Sequence, residues 1–365
     1  MERLVLFAAV LVLLAGMAWQ GEAYSRPEPR GSGYKVLAPI HQGNLTVFPV
    51  VGSKSFDTGQ FLTLDEGLRS GDVIVTESGS IQPMMRRRRG IQPPYSPEGA
   101  QVNKLMLVNN SERPLLLLAG EIVTGGKQDR IIGKDRLIPA ESDPIDLGVF
   151  CVEPGRWVQT SSKFDTAMVG ALASPSVRGR AMADKDQAKV WSEVRKAQSV
   201  VVGGAVPLSS TETVQVEATS SYARVMDNKA VQKQVDSVAQ PIENSYRSLI
   251  KQLRVQNAVG VVVAVNGEII WADVFASTDL LQKYWPKLVR SYAAEAILNR
   301  ASKKDVSESA AQAFLDHLDG RHESVESEPG LYRQTEITGD GFKAFELTSL
   351  LPKTGFDIHI AKMLD

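Results

Sequence analysis

Cysteine is nearly absent from this sequence. Cys151 is the only one in 365 residues, so no internal disulfide can form and the fold must be held by its core. Set between Phe150 and Val152, it reads as a small buried apolar residue; a thiol nucleophile would need a base beside it. Histidine is scarce too. His41, His317, His322 and His359 are far from Cys151 in sequence. The stretch Asp316, His317, Asp319 and His322 could offer ligands to a metal, but it reads better as the C-terminus of a helix whose histidines complement its dipole, and with no other His/Cys cluster no metal is expected. There is no excess of either charge. Lys and Arg number 41 against 42 Asp and Glu, for a formal net charge of -1, which points to no nucleic-acid or membrane-surface partner. A G-x-S-x-G nucleophile motif is missing, as is a G-x-G-x-x-G after a strand, and nothing implies a cofactor.

One long apolar run is present, Leu4 to Trp19. It is shorter than the roughly 20 residues that a spanning helix needs. Arg3 precedes it, and Gly21 and Ala23 follow with the small side chains of a signal-peptidase site. Residues 1–23 are therefore expected to be an export signal cleaved after Ala23, giving a periplasmic or secreted protein; the alternative is an uncleaved N-terminal anchor. Glu2, Arg3 and Glu22 leave with the signal, so the net charge goes from -1 to 0. No cysteine lies near that point to carry a lipid, and no stable membrane insertion is expected afterwards.

The rest has ordinary globular composition, 43% hydrophobic and 23% charged, which allows a sizeable core. Residues 24–33 read as a polar linker, and 34–365 as one integrated α+β domain, β-rich over 34–157 and mixed over 158–365. "YKVLAPI", "NLTVFPVV", "DVIVTES", "KLMLVNN", "RPLLLLA" and "DLGVFCV" have strand character. Between two of them, 81–100 carries four prolines and Arg86 to Arg89, which no sheet interior accepts. Such a run is most simply a solvated loop, or else a polyanion-binding one. Further on, Ala188, Val190, Trp191 and Val194 recur at helical spacing. "SSYARVMDNKAVQKQVDSVAQ" and "IENSYRSLIKQL" read as two amphipathic helices divided at Pro241. Asn266-Gly267 between apolar runs predicts a type I′ hairpin. Ser277 to Asp279 then caps a helix carrying Leu281, Tyr284, Trp285, Leu288, Val289 and Tyr292 on one face, with Pro286 inside it. A helix over about 307–318 should stop at Gly320, followed by the hairpin "LYRQTEIT-GD-GFKAFEL" and a last strand, "FDIHIAKML".

The chemistry concentrates in "LLLLAGEIVTGGKQDR", Leu115 to Arg130. It is not a phosphate loop of Walker type, because Gly126 stands where Lys is required, Lys127 comes one place late and Gln128 replaces the hydroxyl. Leu115 to Ala119 is apolar on both faces, as in a central strand, and Glu121 lies at its end. Gly125-Gly126 permits a sharp turn that delivers Lys127, Gln128 and Arg130 to the same place. "CVEPGRW" adds Glu153, Arg156 and Trp157 after another buried strand. Two readings of this set stand. In one, Glu121 and Glu153 pair with Arg130, Arg136 or Arg156 to fix loop geometry. In the other, Glu121, Gly125, Gly126, Lys127, Gln128, Arg130, Glu153, Arg156 and Trp157 form a polar pocket, with arginine forks, an amide and a stacking ring for an anionic or sugar-phosphate-like ligand.

The segments "LLLAGEIVTGGKQDRII", "LIPA", "CVEPGRW", "VWSEV", "NGEIIWADVFAS" and "WPKLVRSYAAEAI", in this order, resemble the bacterial and archaeal ARG and rhodanese-phosphatase-superfamily-associated protein domain family. The resemblance spans about 34–300. Its most specific parts are G-E-x(4)-G-x-Q-x-R, C-V-E-x-G-R-W and W-P-K-L-x-R-S-Y. The family name implies a genomic link to ADP-ribosylglycohydrolase-type proteins, which is association rather than activity, and it carries over no catalytic residue. The tetra-Arg segment departs from the family pattern, as does Asp129, where the family more often shows Asn. Three functions remain: binding of a small anion, hydrolysis of an ADP-ribose-like or phosphorylated molecule with Glu121 as acid/base, and an interaction module using the Trp285 helix.

Overall fold

The computed structural model describes residues 33–78, 100–166, 171–252, 256–302, 304–328 and 330–365. The expected export signal, the linker up to residue 32 and the Pro- and Arg-rich segment up to residue 99 lie outside the described residues. The first half is strand-rich. β1 (Tyr34–Val36), β2 (Ile40–Gln42), β3 (Leu45–Gly52) and β4 (Leu62–Thr63) lead into α1 (Leu64–Ser70) and β5 (Val73–Glu77). Then come β6 (Lys104–Asn109), β7 (Leu115–Leu117), β8 (Ile122–Gly125), β9 (Arg130–Ile132), β10 (Arg136–Ile138), β11 (Ile145–Cys151) and β12 (Phe164–Thr166). The second half opens with α2 (Pro175–Gly179), α3 (Gln187–Val200), α4 (Ser210–Glu217), α5 (Tyr222–Met226) and α6 (Lys229–Gln252). β13 (Asn257–Val265), β14 (Glu268–Phe275), α7 (Thr278–Ile297) and α8 (Glu308–Asp316) follow. β15 (Arg321–Glu328), β16 (Tyr332–Gly339), β17 (Phe342–Ser349) and β18 (Asp357–Leu364) complete an α+β fold.

The first half is β-rich as expected, with one short helix in addition. α1 interrupts the stretch read as mainly β: Thr63 Oγ1 accepts from Glu66 N and Glu66 Oε2 accepts from Thr63 N, a reciprocal cap that starts a helix. Two local readings need correction. The helical run breaks at Asp227 and Asn228, and α6 continues through Pro241, which lies on its exposed side. α8 ends at Asp316 with His317 already extended, so Gly320 is no helix cap, and Arg321 begins a strand. The Asn266-Gly267 turn, with φ of 56° and 76°, and the Ser277 cap on Leu280 N form as expected.

The main sheet runs β1-β3-β13-β14-β18-β17-β16-β15, with β2 also on β3, antiparallel throughout. β13 lacks a polar face because both its faces are covered. Val261, Val263 and Val265 pack with Tyr284, Leu288 and Tyr292 of α7, while Val259 and Val262 pack with Ala311 and Leu315 of α8. Trp285 stacks on Tyr246 of α6 at 4.4 Å and is buried there. A second sheet, β10-β7-β4, makes the apolar Leu115–Leu117 its central strand, and a third runs β12-β8-β9-β11-β6-β5.

A buried charge network joins these layers. Arg178 of α2 donates from Nη1 and Nη2 to the two oxygens of Asp273 at 3.0 and 3.1 Å, and from Nε to Ala119 O at 3.2 Å. The Tyr292 hydroxyl also donates to Asp273. His359 stands between carboxylates, Nδ1 at 2.6 Å from Asp135 and Nε2 at 3.1 Å from Asp273. Burial works against an imidazolium here, but Asp135 and Asp273 outweigh it and push the His359 pKa up to about 9.

Candidate functional site

β8 and β9 pair as a hairpin, with Val123 opposite Arg130, and residues 126–129 make its turn. Gly125 and Gly126 have φ of 125° and 48°, and a Cβ on either would collide with Ser161 Oγ or the Phe164 ring. The glycine pair therefore lets β12 and its approach close over the turn. Arg156 braces it. Nη1 donates to Gly126 O at 2.9 Å and Val158 O at 2.8 Å, and Nη2 to Gly125 O at 3.2 Å. Nη2 also meets Glu153 Oε2 at 2.5 Å and Asp129 Oδ1 at 3.4 Å. Glu153 Oε2 accepts from Asp129 N at 3.0 Å, and Asp129 Oδ2 accepts from Ser221 Oγ at 2.5 Å. This part of the cluster is closed on itself apart from Arg156 Nε, which has no partner among the described residues. Burial opposes the Arg156 charge, but Glu153 outweighs it and raises the guanidinium pKa.

Arg130 is different. It is 0% exposed, opposite Cys151 in the β9–β11 register. Its Nη1 reaches Asp129 O at 3.5 Å, while Nε and Nη2 have no hydrogen-bond partner among the described residues. Those two nitrogens share one edge of the guanidinium, the fork that grips a carboxylate or phosphate through two parallel bonds. Burial pushes the Arg130 pKa below its ordinary value, and Cys151, Glu77 and Asp129 offset this only in part. Arginine stays charged regardless, so the site holds a cation short of acceptors. Trp157, 42% exposed, covers it: the Trp157 ring centroid is 5.8 Å from Arg130 Cζ and 5.1 Å from Lys127 Nζ.

Two acceptors nearby are also unmatched. Glu77, at the end of β5, accepts from Lys127 N at 2.7 Å through Oε1, but Oε2 has no partner among the described residues. Gln128 donates from Nε2 to Glu153 O at 3.2 Å, which turns its amide so that Oε1 is left without a donor. A buried polar atom in this condition costs about 1–3 kcal/mol, so a concentration of them at one turn calls for an occupant.

Glu121 goes elsewhere. Its Oε1 pairs with Lys287 of α7 and its Oε2 accepts from Leu118 N at 2.7 Å, while Lys287 also meets Asp65 of α1 at 2.7 Å. Burial opposes the Lys287 charge, but the two carboxylates outweigh it and raise its pKa. Eight of the nine expected residues thus gather around the 126–129 turn, and Glu121 serves a separate ion pair. Sequence reasoning missed Glu77, which no local motif marks. It also missed Lys287, whose signal was a charge among the buried α7 positions Tyr284, Leu288 and Ser291.

Family membership follows from the span of the match. A sequence profile of the ARG and Rhodanese-Phosphatase-superfamily-associated Protein domain fits residues 33–362. The chain belongs to this family. No curated protein and no solved structure matches it. The signature segments of the ARPP-1 domain acquire physical roles here. G-E-x(4)-G-x-Q-x-R splits between the Lys287 pair and the turn, C-V-E-x-G-R-W supplies the brace and the Trp157 cover, and W-P-K-L-x-R-S-Y supplies Lys287.

An open cleft of about 640 Å³ lies elsewhere on this ARPP-1 domain, between α2, α3, the start of β14 and the end of β18. Its ionic groups are largely turned on one another. Arg180 pairs with Asp184 at 2.9 Å and Glu193 at 3.4 Å, Lys196 meets Glu193 at 3.4 Å, and Glu295 accepts from Ser176 and Asn299. Trp271 keeps an unpartnered indole N–H among the described residues at its wall, but one donor specifies no ligand. Room with a single unmet donor is a weaker sign of a site than the unmatched donors and acceptors gathered around Arg130.

Proposed function

We propose that this ARPP-1 domain protein is exported by residues 1–23 and binds a small anionic ligand, a carboxylate or phosphate carried on a sugar-like body, against the Arg130 fork. One observation carries the reading: a fully buried guanidinium whose Nε and Nη2 have no partner among the described residues. Lys127 adds a second cation beside the Trp157 ring, Trp157 a flat cover, and Arg156 with Glu153 the rigid turn that holds them. No specific observation favours hydrolysis, because both Glu121 oxygens are engaged by Lys287 and Leu118 N. Nor does one favour an interaction role for Trp285, which Tyr246 covers.

Thermal unfolding with a panel of anionic metabolites tests the reading. A ligand at one hundred times its Kd should add about 2.7 kcal/mol of stability, and Arg130→Met should abolish that gain. If no anion shifts the transition of the folded protein, the fork is filled by solvent alone and the proposal fails.

A further inference from the structure

The Arg130 fork accounts for only one kind of unmet bonding at the turn. Glu77 and Gln128 contribute the other kind. Glu77 is 4% exposed, and the bond from Lys127 N to its Oε1 fixes its carboxylate beside the turn, leaving Oε2 without a partner among the described residues. Gln128 is likewise buried, its Nε2 spent on Glu153 O and its Oε1 unpartnered. A carboxylate oxygen and an amide oxygen are acceptors, so each asks the ligand for a donor.

We infer that the ligand is a hydroxylated anion of sugar-acid or sugar-phosphate type, with its charged group on the Arg130 fork and hydroxyl groups donating to Glu77 Oε2 and Gln128 Oε1. This rests on the Arg130 reading. A simple carboxylate brings acceptors alone, and a bare phosphate has only the P–OH on its own charged head; either would satisfy Arg130 but set like charge beside Glu77, with no hydroxyl held away from that charge to donate to Gln128. The formal charges at the turn also cancel, Lys127, Arg130 and Arg156 against Glu77, Asp129 and Glu153. A ligand with one negative group and many hydroxyls suits such a balance better than a compact polyanion. The exposed ring of Trp157 gives the apolar face of a pyranose a surface to lie on.

Isothermal titration calorimetry on the full chain separates the possibilities. Gluconate, glucuronate and glucose 6-phosphate would be compared with acetate, inorganic phosphate and alanine, in wild type, Glu77→Gln, Arg130→Met and Arg130→Lys. The hydroxylated anions should bind at least tenfold more tightly than acetate or phosphate, roughly the effect of one charge-assisted hydrogen bond. Glu77→Gln should narrow that ratio severalfold, and both Arg130 substitutions should remove most binding of every anion. Tighter binding of glucuronate than of glucose 6-phosphate identifies a carboxylate head, and the reverse a phosphate. If all anions bind alike and Glu77→Gln leaves the ratio unchanged, the hydroxyl assignment is overturned while the Arg130 site stands. Preferential binding of alanine overturns it in favour of an ammonium on Glu77. If nothing binds the folded protein, the Arg130 site itself is lost.

Discussion

Arg178 and Arg130 make an instructive pair. Both are fully buried, and each guanidinium lies near a tryptophan ring, Trp271 at 4.5 Å and Trp157 at 5.8 Å. Arg178 spends its donors on both oxygens of Asp273 and on Ala119 O, and Asp273 outweighs burial to raise its pKa. Arg130 has one long bond to a neighbouring carbonyl, and burial lowers its pKa. Burial alone therefore does not distinguish a structural arginine from a binding one. Completeness of partnering does, because an internally matched ion pair leaves nothing for a ligand to supply.

The contrast can be broken most sharply at Arg178. Replacement by methionine takes the bidentate cation from Asp273, leaving it only Tyr292 and His359, and should cost about 3–5 kcal/mol in denaturant unfolding. A loss below about 1 kcal/mol would mean that the network is not what holds α2 to the sheet. The next effect concerns pH. The folded-state pKa of His359 is raised from 6.5 to about 9, so the stabilisation from its imidazolium is complete below about pH 6.5 and disappears as pH rises through about 9, an amount of about 3 kcal/mol. Stability measured from pH 6 to 10 should show this decline, and His359→Gln should start lower and flatten it. Smallest is Arg130→Met, expected to leave stability within about 1 kcal/mol of wild type or raise it, since it removes a buried charge without stranding a partner. Unfolding of that variant as severe as for Arg178→Met would erase the distinction between the two arginines.

Much of this architecture was legible where the signal is local. Asn266-Gly267, the Ser277 cap and the apolar face of α7 depend on residues a few positions apart. The glycine pair and its charged neighbours marked the turn for the same reason. What was not legible depends on distance in sequence. Glu77 reaches Lys127 N from a strand in another part of the chain, and Lys287, 166 residues further along the sequence, takes Glu121 away from the turn. Charge at a strand end says that a partner is needed but not which one arrives. α1 escaped for a different reason: its Thr63–Glu66 cap was readable, but only seven residues follow it, too few for periodicity to show.

β18 lies between β14 and β17 in the main sheet, and β3 finds its partner in β13, with Leu45 opposite Val265. The sheet cannot close until almost the whole chain is available, and contacts of such long sequence separation form slowly. His359, carried on β18, can meet Asp135 and Asp273 only once that strand is in place, so the buried charge network is completed late.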